Sequence, residues 1–428
     1  MGATSMWTSQ GRSPDFTLYS DRREFLKTAS RLGLLAAAPS LLLGPAEDRT
    51  EAGPEIFPVK KLLRSPVKIA RIEVLRSGGA WFVRTTSTDG AAGLAATNER
   101  IEYLYPILLR RVIPFFVGKD ARDVEALVDG VYVHHSNYKL AGLALWNCVG
   151  WIEFSLFDLL GKTAGKTAGE FLGGVLRWEI PVYLSSLRRD TTPEEEVAWV
   201  GRRLEETGAK AVKLKIGGRM SRNADAAPGR SETLVALARK TWGDRVTIQV
   251  DANGSYDAAK AIEAGRMLEA HGVYFYEEPC PFEDFEATKR VADGLQKVLV
   301  AGGEQDTSLE KFAWYVKNRG LDIVQPDVNY NGGFVRTARV GRLAAAAGLD
   351  ITPHAPQTGM SIAYMLHFAS ATANIGRFQE FNGAPRAPDP WLSPALEVKR
   401  GAVRVPDGPG LGVSVDPDFL KKAERVAD

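Results

Sequence analysis

From Ile180 onward, apolar runs of strand length recur at IPVYL, AVKLKIG, VTIQVDAN, VYFYEEP, VLVAGGE, DIVQPDV, DITPH and RFQEF. Helical stretches separate most of them, and this alternation constrains the fold more than any other feature. One such stretch, TTPEEEVAWVGRRLEETG, has Thr192 as N-cap, Pro193 at the first helical position and Gly208 at the C-terminal stop. Another, SYDAAKAIEAGRMLEAHG, ends at Gly272. Eight strands alternating with helices are what a (β/α)8 barrel needs. A doubly wound open sheet also alternates, but no GxGxxG follows an early strand. The expected class is α/β, a TIM-type barrel.

Ahead of the barrel the pattern is different. KIARIEVLR, AWFVRTTS and GLAAT read as three short strands, with Gly78-Gly79 and Asp89-Gly90 as turns. Helical patterns follow, the longest a mostly apolar run from Leu140 to Leu160. This is an α+β unit, sheet first and helices after. The expected division is a signal segment over 1–46, a linker over 47–66, the α+β region over 67–178, the barrel over 179–400 and a tail over 401–428. Within the first segment, Arg22-Arg23 precede Phe25-Leu26-Lys27 and an uncharged run from Leu32 to Ala46, as in a bacterial twin-arginine export signal. That implies a periplasmic location. The run is too short for a comfortable membrane span, so the mature protein is expected to lack a stable one.

A formal net charge of +2 over 428 residues points away from nucleic acid or other polyanions. Two cysteines, Cys148 and Cys280, are too few for a disulfide framework and lack metal-ligand spacing. The sequence leaves self-association into a homo-oligomer open.

The strand ends carry the chemistry. Lys213 and Lys215 stand on the second strand, Asp251 on the third, Glu277 on the fourth, Glu304 on the fifth, Asp327 on the sixth, His354 on the seventh and Glu380 on the eighth. In such barrels catalytic groups sit at the C-terminal ends of strands. One acid there means little, whereas an acid or base on seven consecutive strands is hard to explain by packing. Side chains alternate faces along a strand, so Lys213 and Lys215 share one. Asp251, Glu277 and Glu304 are hard oxygen donors with no cysteine beside them, which favours Mg²⁺ over zinc. Glu278 is expected on the opposite face, structural or paired with a neighbouring lysine. Mutual repulsion and a nearby divalent cation lower a lysine's pKa, so one of the pair can act as a base near neutral pH. Asp327 bonded to one imidazole nitrogen of His354 fixes the tautomer and leaves the other nitrogen as base or acid. His134, His135, His271 and His367 read as surface or satisfied core histidines. A metal between two bases suits removal of the proton alpha to a carboxylate, through an ene-diolate.

With KLK, VDANGSY, YEEP, AGGEQ, QPDVNYNGG, TPHAP and QEF in place, the chain from about Lys68 to Leu420 resembles the enolase superfamily, mandelate racemase subgroup of the mandelate racemase/muconate lactonizing enzymes. The resemblance implies that an α+β capping domain, completed by the C-terminal tail, covers the barrel. It implies Asp251, Glu277 and Glu304 as ligands of one Mg²⁺ per site, Lys215 as base with Lys213 as its helper, and Asp327–His354 as the dyad opposite. Glu380 corresponds to the acid that hydrogen-bonds the substrate carboxylate. The implied activity is dehydration of an acid sugar to a 2-keto-3-deoxy acid; the alternative is racemisation or epimerisation of a 2-hydroxy acid or related carboxylate. A glycoside hydrolase barrel with paired acids and a non-catalytic exported acid-sugar-binding protein are the remaining readings. Capping loops around Ser77–Ala80 and Ala92–Arg100 are expected to select the substrate. The segment Gly217–Arg230 is longer than usual for the family, and its Arg219, Arg222 and Arg230 are candidates for substrate, surface or subunit contact.

Overall fold

The computed structural model describes residues 55–427; the twin-arginine-type segment lies outside the described residues. The expected strands form where β-branched and apolar residues concentrate: β4 (Glu179–Ser185), β5 (Ala211–Lys215), β6 (Thr247–Asp251), β7 (Phe275–Glu277), β8 (Leu299–Gly302), β9 (Ile323–Val324), β10 (Asp350–Ile351) and β11 (Gln379–Asn382). They pair in parallel in chain order from β4 to β10, and β11 closes onto β4. Between β10 and β11 the bridge Ile351–Ile375 completes the ring. This is a TIM-type barrel.

Helix ends follow the local code. Thr192 caps Pro193–Thr207 in a capping box with Glu195, and Gly208 stops it in the left-handed conformation at φ 70°. The helix Ala258–Ala270 takes its cap from Asp257. These helices run back toward the N-terminal ends of the strands, leaving the C-terminal ends to form a mouth.

The capping region is an antiparallel sheet of β1 (Ile69–Ser77), β2 (Ala80–Ser87) and β3 (Ala92–Ala96), to which Glu424–Arg425 of the tail adds an edge strand beside β1. The helix Leu143–Ala164 packs against it so closely that a Cβ on Gly93 of β3 would lie 2.1 Å from the Ser155 carbonyl oxygen. By length and composition this helix could cross a membrane, but 89% of its most apolar window is inside the protein, so it is a core helix. It also joins the two regions. Glu153 accepts from the Val335 amide at 2.9 Å, at the start of a barrel helix. Asp158 accepts from Leu94 and Leu411, linking capping sheet and tail.

Candidate active site

Register places the charged strand ends at one level. Lys215 stands opposite Asp251, Asp251 opposite Glu277, and Asp327 bridges His354. Gly302-Gly303 turns the chain after β8, with Gly303 at φ 110°, and delivers Glu304 to the same mouth. All eight expected residues converge there. Lys213, Asp251, Glu277 and Asp327 are completely buried, whereas Lys215 at 7% and His354 at 9% exposure reach up toward solvent.

At the centre, ligand oxygens of Asp251, Glu277 and Glu304 lie within 4.8 Å of one another. Burial pushes the Glu277 carboxyl up to about 8; Lys213 opposes this, and the charges of Asp251, Glu304 and Glu380 add to it. Glu304 Oε2 is buried with no hydrogen-bond partner. Crowded, desolvated, under-satisfied carboxylates of this kind fit a hard divalent cation, which would offset their repulsion.

Lys213 donates to both Glu277 oxygens at 2.7 and 2.8 Å and lies 3.0 Å from Glu380 Oε1. Burial alone would lower its pKa, but Glu277 and then Glu380 hold it well above the ordinary lysine value. Of the two lysines, Lys213 is therefore not the one that burial or repulsion neutralises, because two carboxylates hold its charge. It is a fixed charge. Lys215 donates to Asp251 Oδ2 and, at 3.3 Å, to Asn253 Oδ1.

On the other side His354 Nδ1 lies 2.8 Å from Asp327 Oδ2, leaving Nε2 toward the site, 3.1 Å from Glu304 Oε2. The Glu304 contact has ion-pair distance without hydrogen-bond alignment. Burial pulls the imidazole pKa down, but Glu304, Glu380 and Asp327 outweigh it and raise it to about 10. Asp327 is itself fixed by the amides of Asn329 and Tyr330 and by Gln357 Nε2 at 2.9 Å. Glu380 accepts from the Ala355 amide at 2.9 Å. Burial opposes its ionisation, but Lys213, His354 and Lys215 hold it well below the usual carboxylate range.

Several neighbours escaped the strand-end reading. Gln325 donates to Glu277 Oε2 at 2.9 Å, and Asn253 contacts Lys215. Gln325 stands two residues before Asp327 and Asn253 two after Asp251, and the period-two rule would have flagged both. Tyr330, its ring 6.1 Å from that of His354, and Arg100, stacked 4.4 Å over Tyr330, come from separate regions and carry no such signal. Arg100 belongs to the expected capping loop, where Asn98 is anchored to Asn147 at 2.8 Å. Glu278, at φ 40°, lines a small cavity with Cys280, Asp306 and Tyr315 but is not turned away from the site: Asn253 Nδ2 donates to its Oε2 at 3.5 Å, and burial, joined by the charges of Glu304, Asp251 and Glu277, raises its pKa. Among the described residues no lysine pairs with it. Arg230 is buried and binds the carbonyls of Thr191 and Lys215, a structural role, whereas Arg219 and Arg222 are exposed. Both cysteines are buried and free, and His367 is a satisfied core residue between the Gly169 amide and the Leu411 carbonyl.

Fold and site define a barrel enzyme in which an acidic cluster lies between a lysine pair on one side and an aspartate–histidine pair on the other. The family described as "Enolase C-terminal domain-like" matches residues 195–419. The chain is 30% identical over 364 residues to arabinonate dehydratase of Saccharolobus solfataricus, covering 83% of this chain and 91% of that protein. It is 30% identical over 319 residues to D-galactarolactone cycloisomerase of Agrobacterium fabrum, covering 72% and 81% respectively. A mandelate racemase/muconate lactonizing protein from Paracoccus denitrificans PD1222, solved in complex with magnesium, superposes with a TM-score of 0.76 at 28% identity, covering 84% of this chain and 99% of that one. The chain belongs to the enolase superfamily, among the mandelate racemase/muconate lactonizing enzymes. The glycoside hydrolase reading falls with that assignment.

Proposed function

We propose that this enzyme removes the proton alpha to a carboxylate and dehydrates an acid sugar to a 2-keto-3-deoxy acid. The observation that carries the reading is the bracketing of Asp251, Glu277 and Glu304 by Lys215 on one side and His354 on the other. The three carboxylates would hold one Mg²⁺, which supplies Lewis-acid stabilisation of charge developing on the substrate carboxylate. Lys215 takes the C2 proton at Nζ. The C2–H electrons pass first onto the carboxylate and then form the C2=C3 bond as the C3–O bond breaks. His354, oriented by Asp327 at Nδ1, gives its Nε2 proton to the leaving hydroxyl, which departs as water. The remaining enol ketonises. Lys213 and Glu380 fix the charge pattern around the substrate carboxylate, and Gln357 and the Asn329 and Tyr330 amides keep Asp327 aimed at Nδ1.

The same opposed pair supports a second reading, 1,1-proton transfer, in which His354 returns a proton to the face opposite Lys215 and inverts the alpha carbon. A panel of acid sugars and hydroxy acids with Mg²⁺, followed by NMR in D₂O, separates the two. Keto-acid formation supports dehydration, and exchange with epimer appearance supports transfer. Absence of both across the panel, or full turnover after chelation, overturns the proposal.

The twin-arginine-type segment supports export of the folded enzyme to the periplasm. Replacing Arg22 and Arg23 by lysine is expected to leave the enzyme in the cytoplasmic fraction; unchanged fractionation would remove that part of the proposal.

A further inference from the structure

The loop after β4 carries an arginine that lies on no strand end. Arg189 reaches over β5 and β6: its Nε donates to the Gly217 carbonyl at 3.1 Å, and its Nη2 contacts the carbonyls of Ile216 and Asp251 at 3.4 Å. Nη2 also donates to Asn253 Oδ1 at 2.9 Å, the oxygen that accepts from Lys215 Nζ at 3.3 Å. One guanidinium thus grips the two residues that follow Lys215 and the side-chain oxygen that Lys215 touches. Asn253 has little freedom of its own, since it sits at φ 41° with its amide donated to Asp251 Oδ1 at 2.7 Å.

Holding a cation there is costly. Burial, partly offset by Asp251 and reinforced by Arg219 and Arg230, lowers the Arg189 pKa. A neutral or apolar side chain would pack over the strand ends without that cost. The fork geometry explains the choice of residue: a rigid planar donor set can hold several acceptors at once, which a lysine ammonium cannot match. The opposite flank is independent of it. His354 is held by Asp327, which Gln357 and the amides of Asn329 and Tyr330 fix in turn, and none of these contacts involves Arg189.

We propose that Arg189 is a positioning residue for the lysine flank alone, acting through Asn253 and residues 216 and 217 to aim Lys215 Nζ at the alpha carbon. The inference rests on the two-base reading of the site. Its test is solvent-deuterium exchange at the alpha carbon of two epimeric acid-sugar substrates, followed by NMR with Mg²⁺ present. Lys215→Ala and His354→Ala first identify which epimer each flank serves. Arg189→Ala is then expected to slow exchange of the Lys215-served epimer by about 10- to 100-fold, the usual cost of removing a group that orients a functional residue. Exchange of the other epimer stays within about twofold, and Arg189→Lys recovers only part of the loss. Equal losses on both epimers, weakened Mg²⁺ binding in the variants, or no loss at all would overturn the assignment. If Lys215→Ala and His354→Ala fail to separate the epimers, the two-base reading itself is wrong; if they separate while Arg189→Ala and Arg189→Lys exchange like wild type, Arg189 alone is misassigned.

Discussion

The two flanks of the site are built on different principles. On the lysine flank, Lys213 and Lys215 come from one strand, two residues apart, and the alternation of β5 alone puts both inside the barrel. On the other, His354 and Asp327 come from different strands, 27 residues apart, and meet only because β9 and β10 are neighbours in the closed sheet. The charges differ in kind as well. Lys213 is locked between Glu277 and Glu380 as a fixed cation, while His354 is raised to about 10 by carboxylates on three other strands, the state that its proposed role of proton donor needs. The local flank is thus economical in sequence but needs outside help to be aimed, and the tertiary flank carries its own orienting carboxylate.

The comparison can be broken most directly at its bases. Lys215→Ala and His354→Ala are each expected to lower turnover by about 10²–10⁴-fold, the range for losing a general base or acid, while Mg²⁺ affinity measured by calorimetry is largely retained. Comparable turnover in either variant would mean that the flank does no proton transfer. Asp327→Asn tests the self-contained orientation of the histidine flank. It should cost on the order of 10²-fold in exchange of the His354-served epimer and little in the other, because the imidazole loses the partner that sets its tautomer. Loss on both epimers would show that the flanks are not separable. Glu304→Ala, by contrast, should weaken Mg²⁺ binding at least tenfold and slow both flanks together, with activity partly recovered at high Mg²⁺.

The smallest effect separates the histidine of the site from that of the core. His367 is fully buried, and its pKa is lowered by burial to about 4, against an ordinary value of 6.5. The unfolded chain therefore binds this proton more readily than the folded one. Its contribution to stability is complete above about pH 6.5 and is lost as the pH falls through about 4, at most about 3 kcal/mol. In urea unfolding, His367→Asn should be less stable near neutrality yet show a shallower acid loss, with the pH dependence of turnover near neutrality unchanged. An unaltered acid slope would assign that loss to other groups.

Much of this was legible in the chain. The Thr192 cap, the Gly208 stop, the strand beat and the acidic triad each rest on interactions within a few residues or on strand periodicity, and each stands where the pattern placed it. Glu278, expected on the far face, instead stays beside the acidic cluster in contact with Asn253, because its left-handed backbone at φ 40° breaks the strand alternation; among the described residues it has no lysine partner. Which lysine of the pair carries the fixed charge is not visible in the string KLK, because Glu277 and Glu380, which hold Lys213 charged, lie 64 and 167 positions further on. Arg230 shows the same limit: among the arginines of one loop, only packing tells the buried staple from the exposed Arg219 and Arg222.

By itself, then, the sequence determined which residues end each strand and which face they share, since the period of two and the barrel's parallel order are written along the chain. Only the tertiary structure decided who partners whom across the mouth: Lys213 with Glu380, His354 with Glu304 as well as Asp327, and Arg189 with Asn253. The reason is physical. Coulombic and hydrogen-bond energies depend on distances of a few ångströms between strands far apart in sequence, and those distances exist only once the sheet has closed.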